Sequence, residues 1–135
     1  MSDSLSFWRR METLEVGGMN DAERLCHVVS SLFAADVLNG GFWQFFYNID
    51  AEEYQEVVSG LRTIGALETL NLLLRARATL SDSGQAALDE AREALPSPST
   101  FREFDRQFAS SHSNEVYERV EAYAASQGLF GTTPN

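Results

Sequence analysis

Asp36 and Asp105 are the two side chains whose setting asks for chemistry. By helical spacing Asp36 falls four residues after Leu32 and seven after Val29, in the middle of an apolar stripe; Asp105 falls one after Phe104 and four after Phe101. A buried carboxylate without partners costs several kcal/mol, so each must be answered by donors. One reading is a catalytic or ligand-binding acid pair. The other is that each carboxylate ties down a chain turn or pairs with an arginine. For Asp36 the nearest donors in sequence are the backbone N–H groups of Gly40, Gly41 and Phe42.

Other chemistry is thin. Cys26 and His27 are adjacent, and neighbours on a helix diverge by about 100°, so they make poor co-ligands. His112 reads as a loop residue, and no third group completes a zinc site or a cysteine nucleophile. Glu52, Glu53 and Glu56 have the carboxylate density of a di-metal bundle, but such sites want Glu-x-x-His on inward faces. These glutamates point away from the Tyr54–Val58 stripe, no histidine follows, and they read as solvated. The phosphate-binding glycine loops, HExxH and CxxC are missing from the sequence. The expectation is a protein that is not an enzyme, with no metal or cofactor.

The elements that must position these residues read as helices nearly throughout. A first helix is expected over 4–16, with Leu5, Trp8 and Met11 on one side, stopped by Gly17-Gly18. Asn20 and Glu23 have capping-box spacing, so a second helix starts there and runs to about Leu38, burying Leu25, Val28, Val29, Leu32 and Phe33. Asn39-Gly40-Gly41 ends it with a left-handed glycine cap. Residues 42–47 form a short helical turn, with Phe42, Phe45 and Phe46 inward and Trp43 and Tyr47 on another, more exposed side.

Asp50 with Glu53 caps the next helix, whose stripe is Tyr54, Val57, Val58 and Leu61. After Gly65 come helices over 66–80 and 85–95, the latter ended by Pro96 and Pro98. Ser99 or Thr100 caps a helix carrying Phe101, Phe104 and Phe108. "SSHSN" reads as a turn, and a last helix runs over 115–127 with Val116, Val120 and Tyr123 inward and Gly128 past its end. The fold class is all-α: a single-domain compact bundle of about six to eight helices. Its parts are an N-terminal helical extension (1–18), the main domain (19–128) and a flexible tail (129–135).

The bulk composition fits one domain: 135 residues, 44% hydrophobic. No run approaches the roughly 18 apolar residues of a membrane span, and the N-terminus lacks a secretory pattern. The lone Cys26 fits a reducing compartment, and the expected location is a bacterial cytoplasm. Twenty acids stand against ten bases, a net charge of −10, and every base is arginine. Such a chain repels nucleic acid and anionic membrane and favours basic partners or cations. Three helix faces gather acids: Glu52, Glu53, Glu56; Asp89, Glu90, Glu93; and Glu115, Glu118, Glu121. They are the candidate partner-binding residues, unless they only confer solubility.

The segment "DVLNGGFWQFFYN" resembles the signature of the DMP19-like family, a group described as a domain of unknown function (DUF4375) and named for an acidic DNA mimic. The matching residues are Asp36, Asn39, Gly40, Gly41, Phe42, Gln44, Phe45, Phe46 and Asn48. Ile64, Gly65 and Ala66 look like its Ile-Gly-Ala helix, and "FREFDRQF" is similar to its Leu-Asp-x-x-Phe segment with Phe104 for the leucine. The resemblance spans roughly 22–127. It implies an all-helical fold, and the family's named member is a dimer that occupies the DNA-binding face of a transcription factor. The signature is mostly aromatic and glycine, so it specifies a fold.

Three roles are consistent with this sequence. One is a non-enzymatic acidic module that binds a basic, DNA-binding protein. Another is an interaction or immunity-type protein that uses Trp43 and Tyr47 as anchors. The third is a small-ligand site around Asp36, Gln44, Asn48 and Asp105. Trp8 packs either on the core or across a homodimer interface, and the oligomeric state stays open.

Overall fold

Two reciprocal capping boxes set the helix starts. Asn20 accepts the Glu23 N–H at 2.8 Å while Glu23 accepts the Asn20 N–H at 3.0 Å. Asp50 and Glu53 repeat the exchange at 2.7 and 3.2 Å. In each case donors that the first turn would leave orphaned are satisfied. This computed structural model describes residues 3–80 and 95–130. The expected helix over 85–95, with Asp89, Glu90 and Glu93, lies outside them except for Leu95, as does the end of the tail.

Within the described residues the chain is helical without strands. The α-helices are α1 (Asp3–Thr13), α2 (Asp21–His27), α3 (Ala35–Asn48), α4 (Ala51–Thr63), α5 (Leu67–Ala78), α6 (Arg102–Gln107) and α7 (Ser113–Ser126). Wide π turns, Val28–Ala34 and Phe108–His112, join α2 to α3 and α6 to α7. The described chain thus forms five rods, one of them kinked, slightly fewer than the six to eight helices expected.

The "SSHSN" turn is therefore corrected: it is helix, and His112 is not a loop residue. A π turn skips one residue in its hydrogen-bond pattern, as when the Ser113 N–H reaches the Phe108 carbonyl and that of Ala35 reaches Ser30. A serine assists in each: Ser30 Oγ donates to the Cys26 carbonyl at 2.6 Å, and Ser113 Oγ to that of Ala109 at 3.4 Å.

The extra residue rotates everything after it by about 100°. Past Val28–Ala34 the inner stripe passes to Val37, which is buried, and Asp36 swings to a half-buried flank. Leu25 and Leu32 are also only half-buried, whereas Val28, Val29 and Phe33 are fully inside. Phe33 is the hub, with ring centroids 5.2 Å from Phe45, 5.3 Å from Phe108 and 6.3 Å from Phe42. Phe46 extends the cluster to Phe101 at 5.7 Å. Burying each such ring contributes about 1.5–3 kcal/mol. Across this core α4 approaches the long rod closely: a Cβ on Gly60 would lie 2.7 Å from Val29 Cγ2.

The rod 21–48 averages a hydropathy of 1.3 over its most apolar window, long and apolar enough to pass for a membrane span, although 44% of that window is buried within the bundle. Position-by-position reading missed this, because the apolar residues are interspersed with small polar ones.

The N-terminal helix ends at Thr13, earlier than expected, and of its expected inner face Trp8 and Met11 turn inward while Leu5 does not. Phe7 and Met11 are buried, while Leu5 is 44% exposed. Trp8 packs on the core: it sits edge-on to Tyr117 at 5.7 Å, and its Nε1–H donates to Glu121 at 2.6 Å. Leu129 and Phe130, read as tail, also pack inward, Phe130 against Phe7 at 5.4 Å. Tyr123 is half-buried, and Ala124 takes the inner position expected of it. The glycine ends of α4 and α7 close as expected, with the Ala66 and Leu129 N–H groups reaching back to Leu61 and Ala124.

Candidate functional site

The Asn39-Gly40-Gly41 break separates two helical segments as expected: the backbone leaves helical geometry at Gly41 and resumes it at Phe42, so the rod is kinked there. Gly41 has φ 81° and ψ 177°, a region open essentially to glycine alone. The kink leaves the Phe42 N–H without a helical acceptor, and Asp105 from α6 supplies one: Oδ1 accepts that N–H at 2.8 Å. A Cβ on Gly41 would lie 2.6 Å from Asp105 Oδ2, so the carboxylate occupies the space a side chain would need. Burial pushes the Asp105 carboxyl above its ordinary value, and the Phe42 hydrogen bond pulls it partly back. The residue pinning the turn is thus Asp105, and the expectation that Asp36 holds the Gly40, Gly41 and Phe42 N–H groups is corrected.

Asp36 has other partners. Positions 36, 40, 44 and 48 step by four along one face, and Gly40 presents no side chain there. Gln44 lies back across it, donating Nε2–H to Asp36 Oδ1 at 2.6 Å, and Asn48 Nδ2–H reaches Oδ2 at 3.2 Å. Both carboxylate oxygens are therefore engaged. A shallow hollow of about 200 Å³ lies beside them, bordered by Asp36, Asn48, Ser31 and Glu53. Asp36 and Asp105 serve different parts of the kink, each with its own donors.

The rest of the signature also supports the joint. Phe42, Phe45 and Phe46 fill the core, Ile64 and Ala66 are buried at the α4–α5 turn around Gly65, and Asn39 is exposed. Trp43 is half-buried with its Nε1–H on the Pro96 carbonyl at 2.9 Å. Tyr47 is 56% exposed and stacks on Trp43 at 5.3 Å with planes 7° apart.

Of the acidic faces, the first is part of a larger cluster. Glu56 pairs with Arg24 across α2 and α4, receiving Nε–H at 3.0 Å and Nη2–H at 2.7 Å. The arginine holds the Glu56 carboxyl below its ordinary value, and Arg24 in turn feels Glu53 and Asp50. Asp21 and Glu52 border the same groove, of about 420 Å³, floored by Leu25, Val28 and Gly60. Arg24 thus feels three carboxylates, Glu56, Glu53 and Asp50, and shares the groove with two more, Asp21 and Glu52. His27, nearby, is held below its ordinary pKa by burial and by Arg24.

On α7 the three acids have separate surroundings. Glu115 is 3.5 Å from Arg119, Glu121 holds Trp8, and Glu118 is exposed. Sequence reading missed Asp21, Asp50 and Arg24 as members of the α2–α4 cluster.

Cys26 is fully buried and its thiol is pushed up to about 12 by burial, so it is a core residue. Among the described residues no group of three His, Cys, Asp or Glu could hold a metal ion.

No curated protein and no solved structure matches the chain. The family model described as DMP19-like protein matches residues 18–127, which takes in the kink, the Asp36 ladder, the Asp105 pin and the α2–α4 flank. This chain belongs to the DMP19-like protein family.

Proposed function

We propose that the protein is a non-enzymatic, acidic protein-binding module that acts in the cytoplasm and occupies the basic surface of a DNA-binding protein, as a DNA mimic would. The observation that carries this is the α2–α4 flank, where Arg24 feels Glu56, Glu53 and Asp50 and shares a groove with Asp21 and Glu52. Such an excess of carboxylates makes the local potential negative and steers a basic partner toward it. Family membership agrees with the reading. The partner is a basic protein, such as a transcription factor; nucleic acid and anionic membrane are repelled by the same charge.

The test is capture of partners from the native host on immobilised protein, followed by salt elution. Going from about 0.1 M to about 1 M salt shortens the Debye length from about 10 Å to about 3 Å. A basic protein held at the lower salt and released well before the upper one is the expected result. Recovery of no basic protein at low salt sinks the proposal. A second reading is favoured by one observation, the exposed Tyr47 stacked on Trp43. Aromatic anchors of this kind dominate many interfaces, and a capture that survives high salt but is lost in Tyr47→Ala would favour it.

A further inference from the structure

We infer that the α2–α4 groove is the seat of one cationic side chain, arginine or lysine, presented by a protein partner; this rests on the acidic-module reading above and adds where the partner's charge is held. The groove has two chemically different parts. Its floor is apolar, made by Leu25 and Val28 where Gly60 lets the helices close. Its rim carries Asp21 and Glu52, which make no hydrogen bond or ion pair among the described residues. Glu56 is already matched by Arg24, so the unmatched charge in the groove is that of Asp21 and Glu52.

An alkyl stem ending in a cation fits both parts at once, since such side chains lay their methylenes on apolar surface and keep the head in water. Competing occupants fit worse. A purely apolar segment would desolvate two carboxylates without compensation. A hard metal ion wants six or more oxygen ligands, and the floor offers carbon. The protein also solves the same recognition once internally: Arg24 crosses from α2 to α4 to meet Glu56 through two nitrogens.

The experiment is a methyl NMR titration of the full chain with three blocked amino acids: N-acetyl-arginine methylamide, the lysine equivalent, and the norleucine equivalent, which keeps a stem without charge. The Leu25 and Val28 methyl signals are expected to move saturably with the two cations and far less with norleucine. Asp21→Asn with Glu52→Gln should weaken that response about fivefold. Ser59→Trp, at an exposed position on the groove wall, should abolish it with every charge retained. Equal response to norleucine, or an undiminished response in the double variant, overturns the inference. Repeating the host capture with the double variant separates the two ideas. A basic protein captured equally by both forms removes the groove and leaves the acidic-module reading standing. A basic protein lost only from the double variant supports both.

Discussion

The pin between Asp105 and the Phe42 N–H makes a sharp test of how the kink is held. Truncation by Asp105→Ala leaves a fully buried backbone donor without an acceptor. An unsatisfied buried group costs about 1–3 kcal/mol. Part of that is returned, because the substitution also removes a carboxylate disfavoured by burial. The expected net loss is therefore about 1–2 kcal/mol. Asp105→Asn keeps a carbonyl acceptor and sheds the charge, so it should stay within about 0.5 kcal/mol of the parent.

Urea denaturation at neutral pH reads both values, with the slope unchanged if only the native joint is affected. The pH dependence supplies an independent check. The Asp105 pKa in the folded state lies above its ordinary 3.8. The native protein thus holds this proton more tightly than the unfolded chain does. Stability withheld at neutral pH is regained as pH falls through the raised pKa, and the gain is complete below 3.8. Relative to Asp105→Asn, the parent should therefore gain in acid. If Asn proves as damaging as Ala, the charge and not the acceptor holds the kink, and the reasoning fails.

Three further outcomes are expected. Gly41→Ala forces a side chain into an unfavourable backbone region and onto Asp105, and should cost about 1–3 kcal/mol by the same urea assay; an unchanged midpoint would contradict the kink geometry. A double-mutant cycle on Arg24→Met and Glu56→Gln should give a coupling of about 0.2–1 kcal/mol that shrinks with added salt, because both side chains are partly exposed; coupling that ignores salt would speak against an ion pair. Cys26 should react with a thiol reagent only at the rate of unfolding, since burial holds it protonated and out of reach; fast labelling of the native protein would refute its place in the core.

What the residues disclosed in advance was local. Asn20 with Glu23 and Asp50 with Glu53 announce helix starts because the capping exchange is complete within four residues. The aromatic trio Phe42, Phe45 and Phe46 follows simple three-and-four spacing and is buried accordingly. The errors all cross a change in helical pitch or a tertiary partner. Asp36 was assigned to the inner stripe by counting at constant pitch, and the π turn over Val28–Ala34 breaks that count. The serines that help sustain the π turns look like turn formers in sequence, which is why "SSHSN" reads as a loop. Asp105 as acceptor for Phe42 lies 63 residues away in the chain, and no local pattern encodes it. The α2–α4 cluster was half visible: the α4 trio stood out, but Asp50 at its cap and Asp21 and Arg24 on α2 could be added only after packing.

The two π turns also set where this chain can change its length. Each carries one residue more than an α turn would need, with its neighbours already in working register on either side. Removing a single residue from Val28–Ala34 would let the segment relax into ordinary α-helix while Cys26 and Val37 keep their places in the core. The same deletion within Ala35–Asn48 has no slack to absorb it. Every later side chain would turn by about 100°, taking Gln44 and Asn48 away from Asp36. Length variants of this protein should therefore be folded when the gap falls in a π turn and unfolded when it falls in the kinked helix beside it.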